Sequence, residues 1–269
     1  MKTLTRRAFA LGTTLALTAG AALVATTPAQ AAVARTHAVT IASNPGKVTT
    51  SSTSGGKSFK ITATFSGTAS DGGYSDKNGD GVGLWYLASY PELKLVSSRV
   101  ASPNKPYVVN VAKDSNPVPG SKITATIRVS ASTSPGVYSV TFPVKQLAYV
   151  GSQYVESTKM ATAKFTVYAN KKVSVSETSL ASSYWRAGQT AKLTLRAPDY
   201  QRGAKATLYV KKKGKKKYVK HSTKKLREDG YRSSAKFSVK NLRKGDKLYF
   251  KVTKAKYAPA YKSTVAKVR

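Results

Sequence analysis

The feature that most limits the fold of this chain is a two-residue alternation of apolar and polar side chains, repeated in short runs along most of its length. Residues 58–66 and 247–252 are clear examples. A period of two places alternate side chains on opposite faces of a β-strand. Clusters of Gly, Pro, Asn and Ser separate the runs, and no segment shows a sustained helical spacing. We therefore predict an all-β protein.

The alternation predicts where the strands lie and which way their side chains point. Strands are expected near residues 38–42, 58–66, 93–100, 107–113, 122–130, 137–144, 159–168, 173–176, 191–197, 204–210, 217–222, 231–240, 247–254 and 261–268. In the C-terminal part the side chains predicted to face inwards are Leu193, Leu195, Leu208, Val210, Phe237, Val239, Leu248, Phe250 and Val252. The side chains predicted to face solvent are Lys192, Arg196, Lys236, Lys240, Lys247 and Lys251. Residues 169–172 are either a hinge or part of a continuous strand.

The first 31 residues have the pattern of an export signal. A basic head with Arg6 and Arg7 precedes a soft apolar stretch, and Ala29-Gln30-Ala31 is typical of a cleavage site. The paired arginines followed by Phe9 and Leu11 resemble a twin-arginine signal, with an ordinary secretory signal as the alternative. The apolar stretch is too short for a stable membrane span, and no second one follows. We predict a mature protein that begins near Ala32 and is secreted, either free or associated with the cell wall.

Charge divides the rest of the chain unequally. Residues 32–170 carry 14 Lys and Arg against 6 Asp and Glu, whereas residues 171–269 carry 29 against 5. This asymmetry indicates a domain boundary, so we expect a signal peptide at 1–31, one domain at 32–170 and a strongly basic domain at 171–269. The chain has no cysteine, so packing alone must hold the exported protein together.

The pattern of the C-terminal segment resembles a known class of domain. Residues 206–210, Gly230-Tyr231, residues 237–239, residues 248–252 and residues 257–260 follow the order seen in the Ig-like domains of secreted actinobacterial proteins. The first domain is similar in a looser way, through residues 123–127 and 134–140. This resemblance implies two Ig-like antiparallel β-sandwiches in tandem. It implies almost nothing about function, because such sandwiches have many roles.

The sequence offers little material for catalysis. It contains only His37 and His221, no thiols, and eleven scattered carboxylates. Both histidines are interpreted as solvated surface residues. We therefore predict that the protein is not an enzyme and requires no cofactor; a Ser- and Lys-based hydrolase is the remaining alternative.

One loop of the first domain concentrates acidic residues. Asp76, Asn78 and Asp80 followed by Gly81 match the opening of a calcium-binding loop, with Asp71 as a further oxygen ligand. The match is incomplete, because Leu87 stands where a bidentate Glu is needed. The alternatives left open are a calcium site and a plain Gly/Asx loop, whose residues tolerate left-handed backbone.

Residues 211–217 of the second domain are six lysines with Gly214 at their centre, between two alternating runs. This pattern predicts the tip of a β-hairpin. The 29 Lys and Arg and 5 Asp and Glu of residues 171–269 give this domain a net charge of +24. That far exceeds the magnitude of about 2 to 8 typical of small domains. The excess favours a polyanionic partner, and lysine, a hydrated point charge, suits diffuse attraction. The residues predicted to bind the polyanion are Lys211, Lys212, Lys213, Lys215, Lys216, Lys217, Lys220, Lys224, Lys225, Arg227, Arg243 and Lys244.

The functional expectation is a secreted or envelope-associated binding protein that holds anionic wall polymers or acidic polysaccharide. An extracellular nucleic-acid-binding protein is the first alternative. An accessory module of a carbohydrate-active system is the second, with Trp85 and Trp185 as sugar platforms or core residues.

Overall fold

Alternating apolar side chains from paired sheets meet in two separate cores. The computed structural model describes residues 37–53, 55–67, 85–87, 89–100, 103–113, 120–150, 153–182 and 190–268. One buried cluster draws its members from residues 61–167 and the other from residues 169–268. Residues Arg35–Arg269 form one compact unit. No helix in the described ranges is long and apolar enough to cross a membrane.

Two sheets enclose the first core. Sheet A has the strand order β1 (His37–Ser43), β3 (Lys57–Gly67), β7 (Lys122–Val129) and β6 (Tyr107–Lys113), all antiparallel. Sheet B has the order β2 (Lys47–Thr49), β9 (Gln153–Tyr168), β8 (Gly136–Val150) and β4 (Trp85–Leu87), with β5 (Glu92–Ser98) also paired to β8. Only the short β2–β9 pairing is parallel among those described.

The second core lies between two further antiparallel sheets. Sheet C has the order β10 (Ser179–Ser182), β11 (Thr190–Pro198), β15 (Arg232–Lys240) and β14 (Arg227–Asp229). Sheet D has the order β13 (Val219–Lys225), β12 (Lys205–Lys211), β16 (Lys247–Val252) and β17 (Tyr261–Lys262), with β18 (Ala266–Lys267) also paired to β16. The predicted fold class, all-β with two antiparallel Ig-like sandwiches, is confirmed.

The predicted directions of the side chains are confirmed as well. All nine C-terminal residues expected to face inwards are buried, and the six cations expected to face solvent are exposed. In the first sandwich Ile61, Ala63 and Phe65 are buried on the same face of β3. The alternation is a reliable signal here because burial on one face of a sheet repeats every second residue.

One predicted strand is wrong, and another, over residues 261–268, is interrupted, because only Tyr261–Lys262 and Ala266–Lys267 are strands there. Residues 173–176 belong to a short helix, α1 (Lys171–Ser176), which directly follows the first sandwich. The side chain of Asn170 accepts a hydrogen bond of 2.8 Å from the Lys172 N–H and caps this helix. The hydroxyl of Thr178, just after the helix, bonds that of Tyr261 at 2.6 Å. Residues 169–172 are therefore not part of a continuous strand, since Asn170 caps a helix that begins at Lys171.

The two sandwiches are joined by polar contacts close to this helix. Arg99 Nη1 donates to the carbonyl of Arg202 at 2.7 Å, and Arg202 Nη2 donates to the carbonyl of Arg99 at 2.9 Å. The hydroxyls of Ser97 and Tyr257 lie 2.8 Å apart. The junction is thus made by reciprocal hydrogen bonds between the end of β5 and the C-terminal sandwich.

A buried tyrosine closes the corner before β8. Tyr138 is 0% exposed, and its hydroxyl donates to the carbonyl of Ser134 at 2.6 Å. Burial raises the pKa of Tyr138 to about 12. A tyrosine that bonds the backbone a few residues upstream is the tyrosine corner of Ig-like sandwiches. The contact fixes the turn that connects β7 to β8.

We predict that Tyr138→Phe lowers the free energy of unfolding by about 1–3 kcal/mol, because it leaves the buried Ser134 carbonyl without its donor. The measurement is urea unfolding followed by circular dichroism. Tyr107→Phe is the control, since Tyr107 is half-exposed on the edge strand β6. Equal stability of Tyr138→Phe and the control would contradict a structural role for this hydroxyl.

Candidate functional site

The lysine-rich segment forms the predicted hairpin tip. β12 ends at Lys211 and β13 begins at Val219, and the two strands pair antiparallel. The Lys215 N–H donates to the Lys212 carbonyl at 3.0 Å, and Gly214 has a φ of +79°, which favours glycine. The side chains of Lys215, Lys216 and Lys217 are exposed. The tip is therefore an ordered turn that presents ammonium groups to solvent.

A buried carboxylate fastens this tip to the turn between β15 and β16. Asp246 is 1% exposed and accepts hydrogen bonds from the Lys213 N–H at 2.8 Å and the Arg243 N–H at 3.0 Å. Lys212 Nζ lies 3.1 Å from Asp246 Oδ2 and also donates to the carbonyl of Asn241. Burial by itself raises the pKa of Asp246, but these donors and the Lys212 charge hold it below its usual value. Lys212 is thus a structural partner of Asp246.

The predicted binding residues do not all share one surface. Lys211, Lys220 and Lys225 lie on the outer face of sheet D. Lys211 follows the buried Val210, and Lys220 and Lys225 pair opposite the outward-facing Tyr209 and Lys205. Lys224 pairs opposite the inward-facing Ala206, and its Nζ lies 6.0 Å from the ring centroid of Phe237. Arg227 belongs to β14, in the other sheet. Arg243 and Lys244 lie in the turn beside Asp246.

Sheet D turns a continuous row of lysines outwards, which we call the lysine face. Along β12 and β16 these side chains alternate with the buried core residues. The lysine face comprises Lys205, Lys211, Lys220, Lys225, Lys247, Lys251, Lys262 and Lys267, together with Thr207, Thr223, Tyr209 and Tyr249. The five strands of sheet D contain no Asp or Glu.

The strand register places lysines of this face directly opposite one another. In the part of the chain that the structure describes, four cross-strand pairs are Lys against Lys, and all four lie in sheet D. They are Lys205 with Lys225, Lys211 with Lys247, Lys247 with Lys267, and Lys251 with Lys262. Opposite residues on one face of an antiparallel pair are close neighbours, so like charges there destabilise the sheet.

Sheet C carries cations as well but arranges them differently. Lys192 lies opposite Ser238, Thr194 opposite Lys236, and Thr190 opposite Lys240. Arg232 lies opposite Asp229. Each of these cations therefore faces a hydroxyl or a carboxylate across the strand pair. The two outer faces of the second sandwich are both basic, but only that of sheet D opposes like charges.

Three tyrosine rings form a cluster on the lysine face. The rings of Tyr209 and Tyr249 stack with centroids 4.8 Å apart and an interplanar angle of 5°. Tyr218, from the hairpin tip, meets Tyr249 edge to face at 4.8 Å. Tyr249 is only 7% exposed, whereas Tyr231, on the β14–β15 turn, is 88% exposed. The three clustered rings thus cover one another and do not form an open stacking platform.

Sequence reasoning missed part of this face. Lys247 and Lys251 were expected to face solvent but were not placed in the site, and Lys205, Lys262 and Lys267 were not singled out. The available signal was the alternation of lysine with buried residues in β12 and β16. The sequence does not reveal that β16 pairs with both β12 and β17, so these lysines could not be joined into one face.

The predicted calcium ligands Asp71, Asp76, Asn78 and Asp80 lie outside the described residues, as does Trp185. Within the described ranges, no group of three or more His, Asp or Glu side chains lies close enough to hold a metal ion. His221 is exposed, and its Nδ1 lies 3.0 Å from Ser222 Oγ. The calcium prediction stays a prediction.

Comparison with known proteins gives matches only at the level of solved structures. No family model matches the chain, and no curated protein matches it. Similar structures include the titin domains Z1Z2 in complex with telethonin, at 14% identity and a TM-score of 0.23, covering 87% of this chain and 94% of that one. A marsupial T cell receptor matches at 14% identity and a TM-score of 0.31, covering 83% and 70%. TM-scores this low do not indicate a shared function.

We predict that Asp246→Asn lowers the free energy of unfolding at pH 7 by about 2–3 kcal/mol, because a charged hydrogen-bond acceptor is lost. Since the pKa of Asp246 is lowered in the fold, its contribution is complete above the usual carboxyl pKa and is lost as pH falls through the lowered value. The difference in unfolding free energy between the parent and Asp246→Asn should therefore decrease when urea unfolding is measured at pH values from 7 down to 3. The exposed Asp229→Asn is the control; an equal effect of both variants would overturn the assignment.

We predict that Lys247→Thr stabilises the fold, because Lys247 lies opposite both Lys211 and Lys267. The matched control is Lys192→Thr on β11, opposite Ser238. In low salt the unfolding free energy of Lys247→Thr should be higher than that of Lys192→Thr by about 0.5–1 kcal/mol. At 1 M salt, where the Debye length is about 3 Å, the difference should largely vanish. A difference that does not depend on salt would exclude charge repulsion as its cause.

Proposed function

We propose that this chain is a secreted or envelope-associated, non-enzymatic binding protein that holds anionic wall polymers or acidic polysaccharide through the lysine face of sheet D. The observation that carries the proposal is the register of that sheet, which opposes lysine to lysine four times with no acidic residue in its strands. The basic head and cleavage pattern of the first 31 residues support export.

An unliganded face of this kind is electrostatically unfavourable. Opposed like charges reduce the stability of the sheet, and sheet C shows that the same sandwich also places cations opposite serine and threonine. A bound polyanion converts the repulsion into attraction, because its negative groups lie between the ammonium groups. Such a trade of stability against activity is common at functional sites.

The chemistry of the face favours a charged polymer over a single small ligand. Its cations are all lysines, and lysine lacks the planar fork with which arginine recognises one carboxylate or phosphate in a fixed orientation. Lysines spread over five strands suit contact with repeated charges along a chain. Binding of this type releases counterions and weakens steeply as salt rises.

We predict that replacing Lys205, Lys251 and Lys262 by Gln weakens binding far more than replacing Lys192, Lys236 and Lys240 on sheet C. Both triple variants lower the net charge by three. The measurement is the affinity for inorganic polyphosphate, polygalacturonate and duplex DNA as a function of salt. For the sheet D variant, the slope of log K against log salt should become less steep by about 2–3, because each lost phosphate contact reduces its magnitude by about 0.7–0.9. The sheet C variant should retain the parental slope.

The three probes separate the outcomes. Equal losses in both triple variants would show that attraction is diffuse and that the lysine face is not the site. Tighter binding of duplex DNA than of either single-chain polymer would favour an extracellular nucleic-acid-binding protein. Absence of salt-dependent binding to all three would refute the polyanion function itself.

A further inference from the structure

The tyrosine cluster of Tyr209, Tyr218 and Tyr249 has charged neighbours that the general polyanion proposal does not explain. Tyr209 and Tyr249 are cross-strand partners in β12 and β16, at the middle of the lysine face. Tyr218 joins them from the hairpin tip, outside the regular strands. The three rings thus connect the sheet with the turn that bears the densest run of lysines.

Lysine ammonium groups converge on these rings. Lys262 Nζ lies 4.1 Å from the ring centroid of Tyr249 and 6.0 Å from that of Tyr218. Lys211 Nζ lies 5.7 Å from the centroid of Tyr218. Two ammonium groups from different strands therefore approach the same ring, within the range of cation–π attraction.

A third ammonium group completes the arrangement. Lys251 Nζ lies 5.3 Å from the ring centroid of Tyr209, and Lys251 is the cross-strand partner of Lys262. Contact with an aromatic ring restricts a side chain that is otherwise highly mobile, so these lysines lose less conformational freedom when they bind. The cluster therefore holds three cations in place, although their mutual repulsion would drive them apart.

We propose, building on the function proposed above, that this cluster is a phosphate-binding subsite, in which Lys211, Lys251 and Lys262 hold one phosphate group of a flexible phosphate-containing polymer. A phosphate offers several oxygens in different directions and can accept hydrogen bonds from ammonium groups that arrive from three strands. A carboxylate offers only two oxygens, both in one plane, so it can meet fewer of the three ammonium groups at once. Lysine is a common phosphate ligand and binds phosphate as a point charge.

The rings themselves serve as supports and not as platforms for bases or sugars. Tyr249 is buried, Tyr209 and Tyr218 are half-buried, and the lysines lie against them. A base or a sugar ring would have to displace those lysines before it could stack. The positioning role therefore belongs to the tyrosines, and contact with the ligand belongs to the ammonium groups.

The test compares variants of equal net charge in the mature chain. Tyr218→Ala removes the ring that Lys211 and Lys262 share, Tyr218→Phe keeps it, and Tyr231→Ala removes an exposed ring elsewhere. In titrations with inorganic polyphosphate, Tyr218→Ala should bind about five-fold more weakly than the parent, because the lysine side chains lose their ordering. The affinity of Tyr218→Phe and Tyr231→Ala should be unchanged. Circular dichroism establishes that each variant is folded.

A second measurement does not depend on any variant. Amide NMR signals of residues 211, 218, 249, 251 and 262 should shift together on addition of tripolyphosphate. The pair of Lys256 and Tyr257, which does not belong to the lysine face, serves as the internal control. Equal shifts at both places, or unchanged affinity of folded Tyr218→Ala, would overturn the subsite. Equal affinity per charge for polygalacturonate and polyphosphate would overturn its preference for phosphate but leave the polyanion function standing. If the parent protein bound neither polymer, the polyanion-binding function itself would be refuted.

Discussion

Burial of alternate apolar side chains between two sheets is the constraint on which every other feature of this protein depends. Each sandwich has a continuous core, and in the second it is built around Leu193, Leu195, Leu208, Phe237 and Phe250. The chain contains no cysteine, so no disulfide supplements that burial. Fully burying one such side chain stabilises the fold by about 1.5–3 kcal/mol, whereas one opposed pair of surface charges costs less than about 1 kcal/mol. A well-packed core can therefore tolerate a repulsive face.

The stability supplied by the core offsets the charge repulsion on the lysine face. Its cations lie on the outward positions of strands whose inward positions fill the core, so lysines and core residues alternate along the same backbone. Local devices limit the resulting strain. Asp246 neutralises Lys212 and joins two adjacent turns, and the ring of Tyr249 lies beneath the ammonium group of Lys262. These contacts hold Lys212 and Lys262 in place, whereas Lys215, Lys216 and Lys217 at the tip stay exposed to solvent.

The single wrong strand prediction shows where local hydrogen bonding outweighs patterning. Val173 and Val175 alternate with serines as they would in a strand, yet these residues form α1. Asn170 caps the helix from its own side chain, and Ser174 Oγ donates to the Asn170 carbonyl at 3.0 Å. These residues lie at the junction of the two sandwiches, where the chain must change direction and where a strand would have no neighbouring strand to complete its hydrogen bonds.

The sequence by itself determined the fold class, the inward and outward residues of the strands, and the glycine-centred hairpin, because alternation and turn residues act over only a few positions of the chain. It also identified the excess of lysine in the C-terminal part. Only the tertiary structure decided that Lys251 faces Lys262, that Lys224 and Arg227 lie off the lysine face, and that Asp246 reaches the hairpin tip. These relations depend on strand pairing between distant segments, and pairing is fixed by the packing of the whole core and not by any local pattern.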